Sequence, residues 1–458
     1  MGGGLATHDA SVGRLVGAYR RLPPGAPVRL GKATTNLFRP RAGDGPRLDV
    51  SGLGGVLSVD PVARTADVQG MCTYETLVDA TLPHGLVPLV VPQLRSITLG
   101  GAVAGLGIEA TSFRHGLPHE SVLEMDVLTG AGDVVTATPD GEHADLFRTF
   151  PNSYGSLGYA LRLRIELEPV PGYVALRHVP VHDPDEAAAL VARVCATGEH
   201  DGVRVDALDG VAFAPDDLRL TLATWTDEPG PTSDYTGREV YYRSVHDRAT
   251  DRLTMRDYLW RWDTDWFWCS RAFGAQHPLV RRVWPRRWRR SDVYHRLVRL
   301  DRRLGVADRL DRRAGRPLRE RVVQDVEVPV GRLAEFLTWF DAEVGMRPVW
   351  LCPLVLRAGA PGERPWPTYP LVAGTTYVNV GFWGTVHVGP DAVDAPLNRA
   401  VEAEVARLGG HKSLYSEAFY DRETFDALYD GPGLAAVKKR YDPDDRLTTL
   451  YDKAVRRR

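Results

Sequence analysis

Cysteine is scarce in this chain. Cys72, Cys195, Cys269 and Cys352 are the four residues of that type among 458, far apart and without a CxxC pair. That argues against a disulfide framework or a zinc site and fits a reducing compartment. No apolar run approaches the roughly 18 residues that a membrane span needs. The opening Met1-Gly-Gly-Gly-Leu-Ala-Thr-His-Asp9 has no apolar core of signal-peptide length. A formal charge of −2 gives no global pull toward nucleic acid, and no nucleic-acid motif or internal repeat appears. No metal-ligand cluster is expected. The expectation is a cytoplasmic chain that at most lies on the inner face of a membrane.

What is present in quantity is glycine, and it is concentrated. Ile97-Thr-Leu-Gly-Gly-Ala-Val-Ala-Gly-Leu-Gly-Ile-Glu109 sets Gly100, Gly101, Gly105 and Gly107 among small or apolar residues, after a capping residue Thr98. Such backbone can approach a ligand closely and aim N–H groups at an anion, or simply pack tightly; both readings stand at this point. It is not the dinucleotide fingerprint, because the spacing is GGxxxGxG. Upstream, Val28-Arg-Leu-Gly-Lys-Ala-Thr-Thr-Asn-Leu-Phe-Arg39 is a short strand running into a loop of Lys32, Thr34, Thr35 and Asn36. It suits either a phosphate-binding turn or a solvated loop. Downstream, Pro151-Asn-Ser-Tyr-Gly-Ser-Leu-Gly158 is a second turn with Ser153, Gly155 and Gly158.

Strands and short helices interleave irregularly. A helix is expected over 11–21 and another over 73–82, with a hairpin of 121–129 and 133–138 across a Gly-Asp turn. Residues 159–167 alternate apolar positions with Arg162, Arg164 and Glu166 as a strand does. This is an α+β pattern, not a regular βαβ series, and the chain is long enough for two lobes. Beyond about 172 the texture changes. Residues 258–269 hold Trp260, Trp262, Trp266 and Trp268, and residues 281–321 hold sixteen arginines against five acids. Two readings remain open for each: core packing or a lipid-facing mouth for the tryptophans, a solvated helical pair or an anionic lipid interface for the arginines. Strands are expected at 322–329, 348–356 and 376–383, with a helix at 333–344.

The order of the Gly-Lys loop, Leu48-Asp-Val-Ser-Gly52, the GGxxxGxGIE stretch and Gly155-Ser-Leu-Gly158 resembles the FAD-binding half of vanillyl-alcohol-oxidase (PCMH-type) flavoproteins. Val323-Gln-Asp325, Trp350-Leu-Cys-Pro353 and His411–Tyr415 extend the resemblance to the Δ24-sterol reductases over nearly the whole chain. The segment 260–276 is similar to the actinobacterial methylene-fatty-acid reductases, the group of tuberculostearic acid synthesis, and the expectation is that the chain departs from the animal sterol reductases in lacking their N-terminal membrane anchor.

The resemblance implies an α+β fold: a two-subdomain FAD-binding domain over 1–172, an α+β substrate (cap) domain over 173–410 carrying the aromatic and Arg-rich segment 258–321, and a segment 411–458 returning to the flavin. It implies that Lys32, Thr34, Thr35, Asn36, Thr98, Gly100, Gly101, Gly105 and Gly107 line the FAD, with Ser153, Gly155 and Gly158 toward the adenosine. The first loop has no histidine, so FAD is expected to be non-covalent, with His115 as a structural residue. The reaction implied is reduction of a 10-methylene-octadecanoyl chain on a phospholipid to the 10-methyl chain. NADPH reduces the flavin, and hydride then passes from N5 to a protonated alkene. A SAM-dependent methyltransferase is the implied pathway partner. An isolated alkene must be protonated near a stabilising surface. Candidate acids are Glu109, Tyr415, His411 and Asp263 or Asp265, and for Glu109 a purely local hydrogen-bonding role stands equally open. Trp260, Trp262, Trp266 and Trp268 are the candidate substrate-binding residues. A sterol side-chain reductase and an alcohol or 2-hydroxy-acid oxidase are the alternative readings.

Overall fold

Antiparallel pairing organises both halves of the chain, in a computed structural model. It describes all residues except 1, 24–25, 27, 33–37, 40–45, 238, 305–308, 310–318, 390–393 and 456–458, and backbone alone at 2–4, 299 and 301–304. The loop residues Thr34, Thr35 and Asn36 therefore lie outside the described residues, as does most of the arginine-rich stretch beyond 304.

The first half builds a six-stranded sheet in the order Val56–Asp60, Thr65–Gln69, Gly158–Pro169, Val122–Thr129 and Val134–Ala137, with Leu86–Pro88 pairing the far end of Gly158–Pro169. Alternation gives the central strand its two faces. Leu163, Ile165 and Leu167 enter the main core, while Arg162 on the opposite face is held by Asp67 and Asp126 on the flanking strands. The 73–82 expectation is met by a helix at Tyr74–Thr81, capped by the Thr73 hydroxyl accepting from the Thr76 N–H. Two expectations need revision. The first helix begins at Gly2, not at 11, because it packs Leu15 and Tyr19 against Leu48, Leu53 and Leu128 and so tolerates weak helix formers at its start. The glycine stretch is not all turn: Leu99–Val103 is helical.

The second half builds an eight-stranded antiparallel sheet: Thr250–Thr254, Tyr173–Val181, Asp217–Thr226, Ala207–Ala214, Val349–Leu354, Tyr377–His387, Arg319–Pro329 and His411–Lys412. Its period-2 pattern sorts two unlike faces. Val322, Val326, Val328, Leu351, Val378, Val380 and Phe382 form a dry core under the helices Pro184–Thr197, Leu333–Glu343 and Pro396–Arg407. The other face carries a row set by the register: His178, Thr221, Asp209, then Cys352, Asn379, Glu327 and His411. A polar row on a covered sheet face is costly unless it is hydrogen-bonded or used. The chain then returns to the first half through Arg422–Leu428, Gly431–Tyr441 and Leu450–Ala454, where Tyr441 bonds His143 and Asp145. The fold is α+β, and among the described residues no helix is long and apolar enough to cross a membrane.

Candidate functional site

The glycines divide by what they touch. Gly100 packs on Gly70, where an added Cβ would stand 2.7 Å from the Gly70 carbonyl, and Gly107 packs on Pro92 and Pro118; both shape the fold. Gly101 and Gly105 face a cradle. A Cβ on Gly101 would meet the Thr98 hydroxyl at 2.7 Å and the Lys32 ammonium at 3.6 Å, and one on Gly105 would meet the Tyr154 ring at 2.9 Å. Thr98 caps Leu99–Val103 by accepting from the Gly101 N–H at 3.2 Å, and the Lys32 Nζ donates to Thr98 Oγ1 at 3.5 Å. Across from them the second turn holds Asn152 and Tyr154 in the left-handed region, with Gly155 at φ 77°. Its backbone is tied down by the Tyr154 N–H to Ala104 carbonyl bond of 2.7 Å. Yet the Ser153, Ser156 and Tyr154 hydroxyls are buried without a partner among the described residues. Buried hydroxyls left unpaired beside a lysine and a glycine-floored cradle fit a polyphosphate with a polyol arm. Lys32, Thr98, Gly101, Gly105, Ser153 and Tyr154 are the residues that would hold FAD. Gly158 serves the sheet, pairing with Thr129. The Gly101→Ala variant is expected to fold, since its Cβ meets the Thr98 hydroxyl and the Lys32 ammonium but no backbone, and to lose at least about tenfold in flavin retention, read as the 450 nm absorbance carried through gel filtration.

Within electrostatic reach of Tyr154 lies an acid pair that sequence reasoning missed. Asp325 and Glu327 sit at i and i+2 of Arg319–Pro329 and so share the polar face of the large sheet. The Tyr369 hydroxyl donates to Glu327 Oε1 at 3.0 Å and the Ser413 hydroxyl at 2.8 Å; Oε2 has no partner among the described residues, with His411 Nε2 at 3.9 Å. Burial, reinforced by the Asp325 charge, pushes the Glu327 carboxyl up to about 8, and burial pushes Asp325 up to about 6. Burial drives His411 down to about 3, so near neutrality Glu327 is a protonated acid beside a neutral imidazole. Asn379 donates to Asp325 at 2.8 Å, and Tyr415 hydrogen-bonds the same carboxyl. Trp383 donates its indole N–H to the Tyr415 hydroxyl at 2.9 Å, while the Phe38 N–H donates to the Tyr415 carbonyl at 3.0 Å. Of the acids named from sequence, His411 and Tyr415 meet here. The signal for their partners was two carboxylates two apart in an otherwise valine-rich strand.

Glu109 and Asp263 are placed elsewhere. Glu109 Oε1 pairs with Arg261 at 2.7 Å, and Arg261 also reaches Asp209 at 3.0 Å; Asp209 in turn accepts from the Trp262 and Trp350 indoles. Asp263 accepts from Ser291 at 2.6 Å and pairs with Arg95 at 3.2 Å, which clamps the tryptophan segment to the loop before the glycines. Both carboxyls are raised by burial and pulled back by their arginines. Their arginine partners fit a role in holding the fold, while Glu109 Oε2 is buried without a partner among the described residues. His115 is likewise structural, 3.0 Å from Glu168.

The tryptophans do not form an open lipid-facing mouth. Trp260, Trp262, Trp266 and Trp268 are 1%, 2%, 6% and 4% exposed and belong to the main core, because each polar residue between them finds a buried partner. Two of the rings nevertheless border the site. Trp266 and Phe267 adopt φ 48° and 57°, a left-handed conformation that costs bulky residues of order 1–3 kcal/mol each. That strain turns Trp266 onto Phe38 (ring centroids 5.9 Å) and His295 (4.7 Å), and wedges Phe267 against Trp383 (4.5 Å). Trp268 meets Trp383 at 5.4 Å. An aromatic wall thus faces Tyr415 and the acid pair.

Comparison with known proteins agrees with this arrangement. Residues 9–138 match the family described as FAD binding domain. The chain is 25% identical over 416 residues to the delta(24)-sterol reductase of Homo sapiens, covering 87% of this chain and 75% of that protein. It is 24% identical over 456 residues to that of Arabidopsis thaliana, covering 90% and 77%. A shorter match, 42% over 109 residues, links 24% of the chain to 20% of cytokinin dehydrogenase 6 of Oryza sativa subsp. japonica. The cradle of Lys32, Thr98, Gly101 and Gly105 falls at or inside the matched span, so the chain carries an FAD-binding domain of the PCMH type and is similar along most of its length to the delta(24)-sterol reductases.

Proposed function

We propose that this protein is an FAD-dependent reductase of an isolated carbon–carbon double bond, acting on 10-methylene-octadecanoyl chains of phospholipids with NADPH as the electron donor. The observation that carries the reading is Glu327: a buried carboxyl that burial holds in its protonated form, with one oxygen held by Tyr369 and Ser413, the other unpartnered among the described residues, and in electrostatic reach of Tyr154 of the cradle. An alkene carries no group that an oxyanion hole or a base could polarise, so its reduction starts from an acid that is neutral at working pH. Glu327 Oε2 gives its proton to the methylene carbon, and the branched carbon becomes electron-poor. Trp266 and Trp268 offer π faces that favour that charge, and their burial excludes water. When bound, the flavin supplies the electron pair that completes the saturated centre, and NADPH restores it. The methylene chain itself requires a methyl donor reaction upstream, the work of a SAM-dependent methyltransferase.

Reduction of a sterol side chain is the second reading, favoured by the similarity over 87% of the chain to proteins named for that activity. Anaerobic incubation of the flavin-loaded protein with NADPH and each lipid decides between them. The proposal expects a gain of two hydrogens on the methylene lipid, with none on a Δ24-sterol. Reduction of the sterol alone overturns the substrate, and reduction of neither overturns the reading.

A further inference from the structure

Large exposed hydrophobic side chains are scattered singly over this protein except in one place. Of the nine among the described residues, Leu279 (70% exposed), Val283 (79%), Trp288 (47%) and Leu300 lie within 22 positions. Leu279 and Val283 are i and i+4 on the helix Pro278–Val283 and so share its outer face. Arg282 on the same turn and Arg287 beside Trp288, its guanidinium 5.9 Å from the ring, are exposed and make no ion pair among the described residues. The segment is not loose. On its inner side Arg281 is buried, paired with Asp265 at 2.7 Å and bonded to the Tyr235 and Gly237 carbonyls.

The patch also leads somewhere. Trp288 meets Trp284 at 6.3 Å, and Trp284 stacks on Tyr294 at 6.4 Å. The next residue, His295, meets Trp266, which stacks on Phe38, which meets Tyr415 at 5.7 Å. Ring contacts thus run from the exposed face inward to Tyr294, and from its chain neighbour His295 on to Tyr415 beside the acid pair.

We propose that Leu279, Val283 and Trp288, flanked by Arg282 and Arg287, are a membrane-docking face that seats this protein on anionic phospholipid. Apolar side chains that enter the acyl boundary, an indole at headgroup depth and guanidinium groups on lipid phosphates are the composition that interface favours. A second copy of the chain fits poorly, because a two-fold contact through this face would set Arg282 and Arg287 against their own copies. Docking orients these ring contacts toward the bilayer; their use as the acyl route rests on the reductase reading, whereas the docking itself does not.

Flotation of the full-length, flavin-loaded protein with vesicles separates the two. The expected result is binding to phosphatidylcholine vesicles containing about a third phosphatidylglycerol, loss of binding in high salt, and little binding to phosphatidylcholine alone. Both Leu279→Ser/Val283→Ser and Arg282→Glu/Arg287→Glu are expected to weaken binding at least about tenfold, with turnover of detergent-dispersed substrate unchanged. Absence of wild-type binding, equal binding by the variants, or a concentration-dependent dimer that the variants dissociate overturns the proposal. Vesicle binding without turnover of methylene lipid supports the docking face and counts against the reductase reading alone.

Discussion

Replacing Glu327 by Gln is expected to lower alkene turnover by about 100- to 10,000-fold while leaving flavin content and the NADPH-driven bleaching of the flavin unchanged. Gln keeps the size and can still accept from Tyr369 and Ser413, so the lost quantity is the proton. The pH profile carries the assignment further. Glu327 titrates near 8, so wild-type turnover holds through neutrality and falls as pH rises past about 8, while the residual rate of the variant is flat there. Asp325→Asn removes a neighbouring negative charge that raises Glu327, and moves that alkaline limb to lower pH. Stability shifts with the same proton. Between the usual glutamate range, near 4.5, and about 8, the unfolded chain has released a proton that the folded chain still holds, so the wild type loses stability as pH rises across that window. Glu327→Gln removes Glu327's share of that slope and leaves the smaller share of Asp325 below about 6. Denaturation midpoints at several pH values check it, and a wild-type turnover limb absent near pH 8, or shared by the variant, removes Glu327 as the donor.

Much of the scaffold was legible because it rests on local signals. The Thr73 cap and the alternation of 159–167 each state their structure within about ten residues, and neighbouring motifs in order, the glycine spacing among them, then marked an FAD-binding half. The site's chemistry was less legible because it is assembled by register. Glu327 meets Tyr369, His411 and Ser413 only once three separated segments pair, and nothing near Glu327 in the sequence announces them. The tryptophan segment left two readings open for a related reason. Arg261, Asp263 and Asp265 between the rings look like the polar side of a surface, yet each is buried against a partner outside the segment: Glu109 and Asp209, Arg95, and Arg281. Polar residues signal exposure only when no distant charge answers them. The exposed apolar face lies about twenty residues further on, around Leu279 and Trp288.

The Arg261→Met variant is expected to destabilise the protein by about 3–5 kcal/mol, the largest stability effect of a single substitution on this site's support. Arg261 is 1% exposed, donates to Glu109, Asp209 and the Tyr258 carbonyl, and stacks 3.9 Å from the Tyr258 ring. Methionine fills similar volume, so what remains is two buried carboxylates with one counter-charge removed. The cost is relieved at low pH, where the Glu109 carboxyl, raised by burial, protonates, and in the triple variant Glu109→Gln/Asp209→Asn/Arg261→Met, where no charge is left to answer; urea midpoints across pH read both. The same series decides what Glu109 does. A carboxyl that holds Arg261 loses stability on Glu109→Gln and leaves turnover within a few-fold of wild type, whereas a proton donor loses turnover by about 100-fold or more with its midpoint unmoved. The ion pair favours the first outcome, although Glu109 Oε2 is buried without a partner among the described residues: Oε1 holds the arginine, and the arginine in turn fixes Asp209 beneath Trp262 and Trp350, the layer on which Phe267 and its strained neighbour Trp266 rest.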